Sequence, residues 1–337
     1  MVQLANGLIE ADLSVEMYAL FQLEHFFKID SLVQFSEAPN PPYQYKLFTR
    51  VMALLSNIRR VARNSGASTI IVYGRFYSAL TLLATAGLKK RVFISDRASP
   101  LYRDEWHVNA ITHLVFCLIK PAGVIAQTKE SAAYQRELFG RNVPIEVIPN
   151  PVKINQTVLS PKENIVLAVG RFGDKLKGFD RLIEAWGKVK SSGWQLVFAG
   201  GVESEDVSLG KRAKELGVYE SVLFLGKVHN MDEWYAKSSI FVIPSRSEGF
   251  PNALVEAMCA GIACISFDFV AGPRDIIQNK VNGIIVPNGD IDELASAIEE
   301  LIHNPELRAH YAHNATSIKT IFNAKIIINK IIQFIST

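Results

Sequence analysis

Cysteine is scarce. The chain has three, Cys117, Cys259 and Cys264, and no C-x-x-C pair. That argues against a disulfide framework or a zinc site and suits a reducing compartment. Long apolar runs are missing too. The best candidate, residues 111–119, is short and stops at Lys120 and Pro121, so no membrane-spanning helix is expected. No signal peptide follows Met1. There is no Walker P-loop, no G-x-S-x-G and no G-x-G-x-x-G. The seven histidines do not cluster as ligands; His303, His310 and His313 sit near a helix start at Asn304-Pro305 and are expected to face solvent. A large excess of one charge is also absent. The net charge is +3, and no nucleic-acid partner is expected. The charge is unevenly spread, however. Residues 1–150 hold 16 Lys+Arg against 12 Asp+Glu, whereas residues 151–337 hold 20 against 21. The first half is the one to face an anionic partner.

What is present is an ordinary globular composition, 49% hydrophobic and 20% charged over 337 residues, enough for two domains. In the second half, strand-like runs at 165–169, 195–199, 222–225, 240–243 and 263–267 alternate with helical patterns at 179–189, 209–216, 231–237 and 251–260. That alternation implies an α/β fold with a parallel sheet covered on both faces. The first half reads similarly, with strands at 14–21, 31–35, 69–73, 91–95 and 123–126, and helices at 1–10, 45–63 and 77–86. Pro149-Asn150-Pro151 is the best linker. The expected domains are 1–150 and 151–317, followed by an Ile- and Phe-rich helix at 318–337. That helix either packs back on the body or lies on a membrane.

Three constellations carry chemistry. Glu248 and Glu256 stand in Pro244-Ser245-Arg246-Ser247-Glu248-Gly249-Phe250-Pro251-Asn252-Ala253-Leu254-Val255-Glu256, read as strand, tight loop and helix. One carboxylate lies just before a helix N-terminus and the other about two turns in. Free N–H groups and a partial positive charge make that terminus a seat for phosphate. Arg171 and Lys177 stand in Gly170-Arg171-Phe172-Gly173-Asp174-Lys175-Leu176-Lys177-Gly178, at the carboxyl end of a strand, where ligands of such sheets bind. Cations there suit a diphosphate. The third is Leu225-Gly226-Lys227-Val228, where main-chain groups of Lys227 and Val228 suit a flat base. Each also admits a plain alternative: a surface acid, a solvated basic loop, an ordinary turn.

These pieces occur in order with Gly272-Pro273-Arg274-Asp275 and Asn282-Gly283 behind them. Together they resemble the family 4 retaining glycosyltransferases, with the GT-B architecture of two Rossmann-like domains. The likeness covers nearly the whole chain and is strongest from 164 to 302. It implies transfer of a hexose or N-acetylhexosamine from a UDP-sugar or similar donor to a glycan or lipid-linked acceptor, in the cytoplasm. It implies that Arg171 and Lys177 hold the donor diphosphate, Glu256 the ribose and Glu248 the donor sugar. Backbone N–H groups from Phe250 through Pro251 and Asn252 to Ala253 would complete the phosphate seat, and Lys227-Val228 would frame the base. Arg97, in Ile94-Ser95-Asp96-Arg97, matches the first-domain segment facing the donor sugar, where many relatives carry His. Relatives favour Gly-Asp-Gly where this chain has Gly200-Gly201-Val202. They also begin with a strand and a Gly-Gly loop that this sequence does not show before its first helix. A nucleotide-sugar-binding relative without turnover, or a UDP-sugar epimerase of the same architecture, are the alternatives.

No cofactor or metal is expected. Asp290-Ile291-Asp292 imitates a metal-binding D-x-D, but Asn288-Gly289 before it and Glu293 three positions after Asp290 give capping-box spacing. Finally, Lys46, Arg50, Arg59, Arg60 and Arg63 share a helical pattern with Leu47, Val51, Leu54 and Ile58. This is either a helix packed on the first sheet with a solvated basic edge, or a contact for anionic lipid.

Overall fold

The computed structural model describes all residues except 22–27, 39–46, 103–104, 153–159 and 202–206, and the side chains of 47, 48 and 207. The chain divides into two compact units. Met1–Pro151 with Ala324–Thr337 forms the first, and Val152–Asn323 the second.

Unit 1 runs α1 (Val2–Glu10), β1 (Glu16–Ala19), β2 (Gln34–Glu37), α2 (Leu47–Asn64), β3 (Thr69–Tyr73), α3 (Arg75–Thr85), β4 (Arg91–Ser95), α4 (Trp106–Leu118), β5 (Gly123–Ala126), α5 (Lys129–Phe139) and β6 (Ile145–Val147). All pairings are parallel, but they fall into two sheets, β1-β2 and β3-β4-β5-β6. Strand alternation sorts the side chains to two faces. Ile70, Val72, Val92, Ile94 and Val124 pack with α3, α4 and α5. Ile71, Tyr73 and Ile125 pack instead with α1 and the C-terminal helix, through Leu4, Leu8, Ile327, Ile328 and Ile331.

Unit 2 runs β7 (Glu163–Val169), α6 (Phe179–Trp186), β8 (Gln195–Ala199), α7 (Val207–Glu215), β9 (Val222–Phe224), α8 (Met231–Lys237), β10 (Ser238–Ile243), α9 (Asn252–Cys259), β11 (Ala263–Phe267), α10 (Pro273–Ile276), β12 (Ile284–Val286), α11 (Ile291–His303) and α12 (Pro305–Ala315). Its six strands form one parallel sheet in the order β12-β11-β10-β7-β8-β9. Consecutive residues of β7, β8, β10 and β11 are buried, as in a sheet covered on both faces.

Several expected boundaries move. The helix foreseen from 179 to 189 ends at Trp186, because Gly187 follows and glycine is a poor helix former. The helix foreseen from Pro251 starts at Asn252, with Pro251 at its cap. The helix foreseen from 318 begins later: residues 316–320 form a 3-10 turn, and α13 spans Ala324–Ser336. Residues 318–323 thus remain with unit 2, while α13 joins unit 1. There Phe334 meets Phe93 edge-on at 5.5 Å, and Arg91 donates to the Ile335 carbonyl at 3.0 Å. Strand β2 lies at 34–37 rather than 31–35. Helices α4 and α5 were not expected at all. In α4 a nearly continuous apolar composition hides the period on which recognition of a helix rests.

Candidate functional site

The order of strands in unit 2 reverses between β7 and β10. From β7 the chain steps outward through β8 to β9, then returns and lays β10 on the other side of β7. The carboxyl ends of two such neighbours diverge into a crevice, the usual ligand site of an open parallel sheet. Both constellations emerge at that point: Gly170 to Gly178 follow β7, and Pro244 to Pro251 follow β10.

Lys177 and Glu248 meet there. The Lys177 ammonium donates to Glu248 Oε1 at 2.8 Å and Oε2 at 3.0 Å, with the two side chains 22% and 13% exposed. Ser245 Oγ donates to Oε1 at 2.8 Å. The sequence reading missed Ser245. Its signal was the serine three residues before the acid, placed to reach back across a tight turn. The lysine stem lies across Gly170, where any Cβ would stand 3.0 Å from Lys177 Cδ.

Gly178 locks the two loops together. It has φ +67°, and a Cβ there would fall 2.0 Å from the Pro244 carbonyl oxygen, so only glycine fits. Beside it, Arg246 N–H donates to the Leu176 carbonyl at 2.7 Å. The Arg246 guanidinium bonds to the Lys175 carbonyl and to Asp180, each at 2.8 Å. That pair holds Asp180 below the ordinary carboxylate range, the Arg246 hydrogen bond being the main cause. Arg171 is different. Its side chain is 79% exposed and, among the described residues, pairs only locally, with Asp174 at 3.1 Å. Asp174 in turn accepts from Leu176 N–H at 3.0 Å, shaping the short turn that carries Lys177.

The helix after Glu248 also differs from expectation. Because α9 begins at Asn252, Glu256 lies one turn in rather than two. The Phe250 side chain is buried, its ring 6.0 Å from that of Phe322, which leaves only its backbone for a ligand. Pro251 carries no N–H, and the Asn252 N–H already donates to the Phe250 carbonyl at 3.0 Å. The expected row of four backbone donors is therefore shorter, and Ala253 stands in the first turn with its N–H at the open end. Gly272, φ +142°, makes room for Pro251, whose Cδ a Cβ would approach to 2.5 Å. Glu256 is half-buried and bonds to Tyr235 of α8, which donates to Oε2 at 2.9 Å. Burial raises the Glu256 carboxyl above the ordinary range. Burial, then the charge of Glu256, holds the Tyr235 phenol well above its own. Tyr235 left no signal in the sequence, since 21 residues separate the pair. Glu248 and Glu256 thus have separate partners.

At the end of β9, Gly226 has φ +65°, and its carbonyl accepts from Gly200 N–H at 2.7 Å. Lys227 is exposed, and Val228 is half-buried against the core. Val202 lies outside the described residues. Asp290 caps α11, accepting from Glu293 N–H at 2.9 Å, and Asp292 pairs with Lys188.

In unit 1, Arg97 follows β4. It lies over the Tyr73 ring at 4.6 Å and donates to its hydroxyl at 3.3 Å. Its Nε is buried without a hydrogen-bond partner, and burial lowers its pKa. The neighbouring Asp96 is fully occupied in the interior. Arg75 grips it through Nε and Nη2 at 3.2 and 3.1 Å, and Gln135 donates at 3.3 Å. Of the basic stretch on α2, Arg59 donates to the Ala84 and Ala86 carbonyls at 2.8 and 3.1 Å. Arg60 and Arg63 are exposed, and Lys46 lies outside the described residues.

Comparison with known proteins places this geometry in a family. A model of the glycosyl transferases group 1 matches residues 150–318. The chain is 26% identical over 338 residues to the amylovoran biosynthesis glycosyltransferase AmsD of Erwinia amylovora, covering 97% of this chain and 92% of that one. It is 25% identical over 328 residues to a Campylobacter jejuni α-1,4-N-acetyl-D-galactosaminyltransferase, named for a diphospho-undecaprenol-linked acceptor, covering 94% and 88%. Sucrose-phosphate synthase from Thermosynechococcus elongatus superposes with a TM-score of 0.85 at 19% identity, over 98% of this chain and 90% of that one. The fold is therefore GT-B.

Proposed function

The chain belongs to the group 1 glycosyl transferases, and from that premise we propose a retaining, family 4-type hexosyltransferase. It moves a hexose or N-acetylhexosamine from a UDP-sugar to a glycan or lipid-linked acceptor, in surface-polysaccharide synthesis on the cytoplasmic side. The observation that carries this reading is the Lys177–Glu248 pair at the strand-order reversal of unit 2. A cation and an acid side by side suit the two halves of a nucleotide sugar. Lys177 turns to the diphosphate and Glu248 accepts from sugar hydroxyls. Arg171, exposed and paired with Asp174, swings to the same phosphates. The start of α9 adds its partial positive charge, Glu256 takes the ribose hydroxyls, and Lys227-Val228 frames the uracil.

In the reaction the bond from the anomeric carbon to the diphosphate oxygen breaks. A bond to the acceptor oxygen forms on the same face, and the acceptor proton passes to the departing phosphate. Two negative charges develop on the leaving group. Preorganised cations there are worth about 3 kcal/mol each. No metal is needed in this scheme, and turnover should persist in excess chelator; complete loss would count against it.

The anomeric configuration of the product, read by NMR, tests retention, and inversion would overturn it. Calorimetric titration with UDP tests the seat: Lys177→Ala should weaken binding clearly, and equal affinity would remove the assignment. The relatives described above are transferases matched over nearly their whole length. The epimerase and non-catalytic readings have no such support. Release of free sugar without acceptor would favour the epimerase.

A further inference from the structure

Glu256 differs from the other acids of the site in what answers its charge. Asp174, Asp180 and Glu248 each pair with an arginine or lysine. Glu256 has no such pair among the described residues. Besides burial, the groups that act on it are the Tyr235 hydroxyl and the negative charge of Asp232, both from α8. Burial and a neighbouring acid both disfavour the ionised form of a carboxyl. One hydrogen bond works the other way. Tyr235 donates to Oε2 at 2.9 Å, and a bond donated to a carboxylate favours the anion. Oε1 accepts no hydrogen bond among the described residues.

Tyr235 is built into the core as a fixed donor. The residue is 4% exposed, and its ring lies 6.2 Å from that of Phe241 on β10. Its backbone carbonyl accepts from Lys162 at 3.3 Å. Close packing of this kind holds a side chain in one rotamer. Burial, then the charge of Glu256, keeps the phenol protonated far above its usual range. Filling the core would not need the hydroxyl, because phenylalanine occupies almost the same volume. The other titratable groups around the pair come from the packed elements. Cys264 of β11 and Asp232 act on Tyr235, and Glu256 acts on Cys259 of α9. Burial pushes the Cys259 thiol up to about 11 and the Cys264 thiol well above its usual range, so both stay neutral.

We propose that Tyr235 is a positioning residue for ribose recognition: it holds Glu256 by Oε2 and so presents Oε1, fixed in place, to the 2′- and 3′-hydroxyls of the nucleotide. The proposal rests on the assignment of Glu256 to the ribose, and Tyr235 acts through that carboxylate without touching the ligand. A buried acceptor aimed at a hydroxyl is left unpaired by a ligand that lacks it, which is the source of discrimination. The test is calorimetric titration of the full chain with UDP and with 2′,3′-dideoxy-UDP from pH 5 to 8.5. The ratio of the two affinities cancels the titration of the phosphates that both ligands share. The parent should prefer UDP about tenfold or more. Tyr235→Phe should reduce that preference about three- to tenfold, with dideoxy-UDP affinity as in the parent. Its loss of preference in acid should set in at higher pH, because the Glu256 anion no longer has its donor. In a Glu256→Gln background, which has no charge to hold, Tyr235→Phe should leave the pH profile unchanged. If Tyr235→Phe weakens both ligands alike, Tyr235 only packs the core and the proposal fails. It fails equally if the preference and pH profile of that variant match the parent's. A parent that binds UDP and dideoxy-UDP with the same affinity would instead remove Glu256 from the ribose, and the role of Tyr235 with it.

Discussion

The two units build parallel sheets by the same alternation of strand and helix, yet only one ladder is continuous. In unit 2, β7 and β10 lie side by side at the centre, and their buried residues leave loops on one shared crevice. In unit 1 the ladder breaks. Strands β1 and β2 pair with each other, β3 to β6 form a second sheet, and the Ser65 hydroxyl bonds to Glu16 at 3.0 Å beside the starts of β3 and β1. Every residue of β3 is half-buried, whereas β10 is buried throughout. A doubly wound sheet makes its ligand seat from the loops of its central neighbours. Where those neighbours pair, charged side chains from two loops converge, as Lys177 and Glu248 do. In unit 1 the paired strands β3 and β4 also bring charge together, as Arg75 on Asp96, but that pair is buried in the interior and leaves no charged seat open.

That contrast can be attacked directly. The largest effect is expected in unit 1 with Asp96→Ala. It strands the buried Arg75 guanidinium and should cost about 3–5 kcal/mol. Calorimetry should show the melting transition lowered while UDP affinity stays as in the parent; a parallel loss of UDP binding would mean that the nucleotide does not rest on unit 2 alone. Next comes unit 2's own charge. Arg171→Ala should cut turnover roughly a hundredfold, close to 3 kcal/mol, with the melting temperature unmoved because this side chain is exposed. Equal rates in purified variant and parent would sink its role.

Gly178→Ala probes the lock between the loops. The added methyl meets the Pro244 carbonyl in a left-handed backbone, and about 1–3 kcal/mol should be lost. Parent-like stability would show that the loops are not wedged together.

The smallest effect is a gain. Burial raises Glu256, so the folded chain holds that proton more tightly than the unfolded chain does. Stability then falls as pH climbs from the usual glutamate range through the raised value. Glu256→Gln removes this loss while still accepting from Tyr235. Its melting temperature should exceed the parent's by roughly 2 °C near pH 8, less in acid, with UDP bound more weakly. A pH-independent difference would reject the cause.

Much of the site was legible because local chemistry fixes local shape. Asp290 caps α11 as its spacing foretold, and Gly170, Gly178 and Gly272 stand where a close approach or a left-handed backbone demands them. Apolar runs marked five of the six strands of unit 2, all but β12. What escaped was relational. Nothing near Glu256 in the chain pointed to Tyr235, and nothing in the 248 loop pointed to Asp180 as the anchor of Arg246. One backbone donor of the expected row was also claimed by local packing, the Asn252 N–H, which donates to the Phe250 carbonyl.

By itself the sequence determined the α/β class, most of the strands and the glycine turns of unit 2, and which acids and cations stand beside those turns. Periodicity, propensity and capping act over a few residues and are written in order along the chain. Tertiary structure alone decided that Lys177 closes on Glu248, that α13 returns to unit 1 and that the first ladder is split. Those outcomes depend on which distant surfaces compete for the same space, a choice settled only when the whole chain has packed.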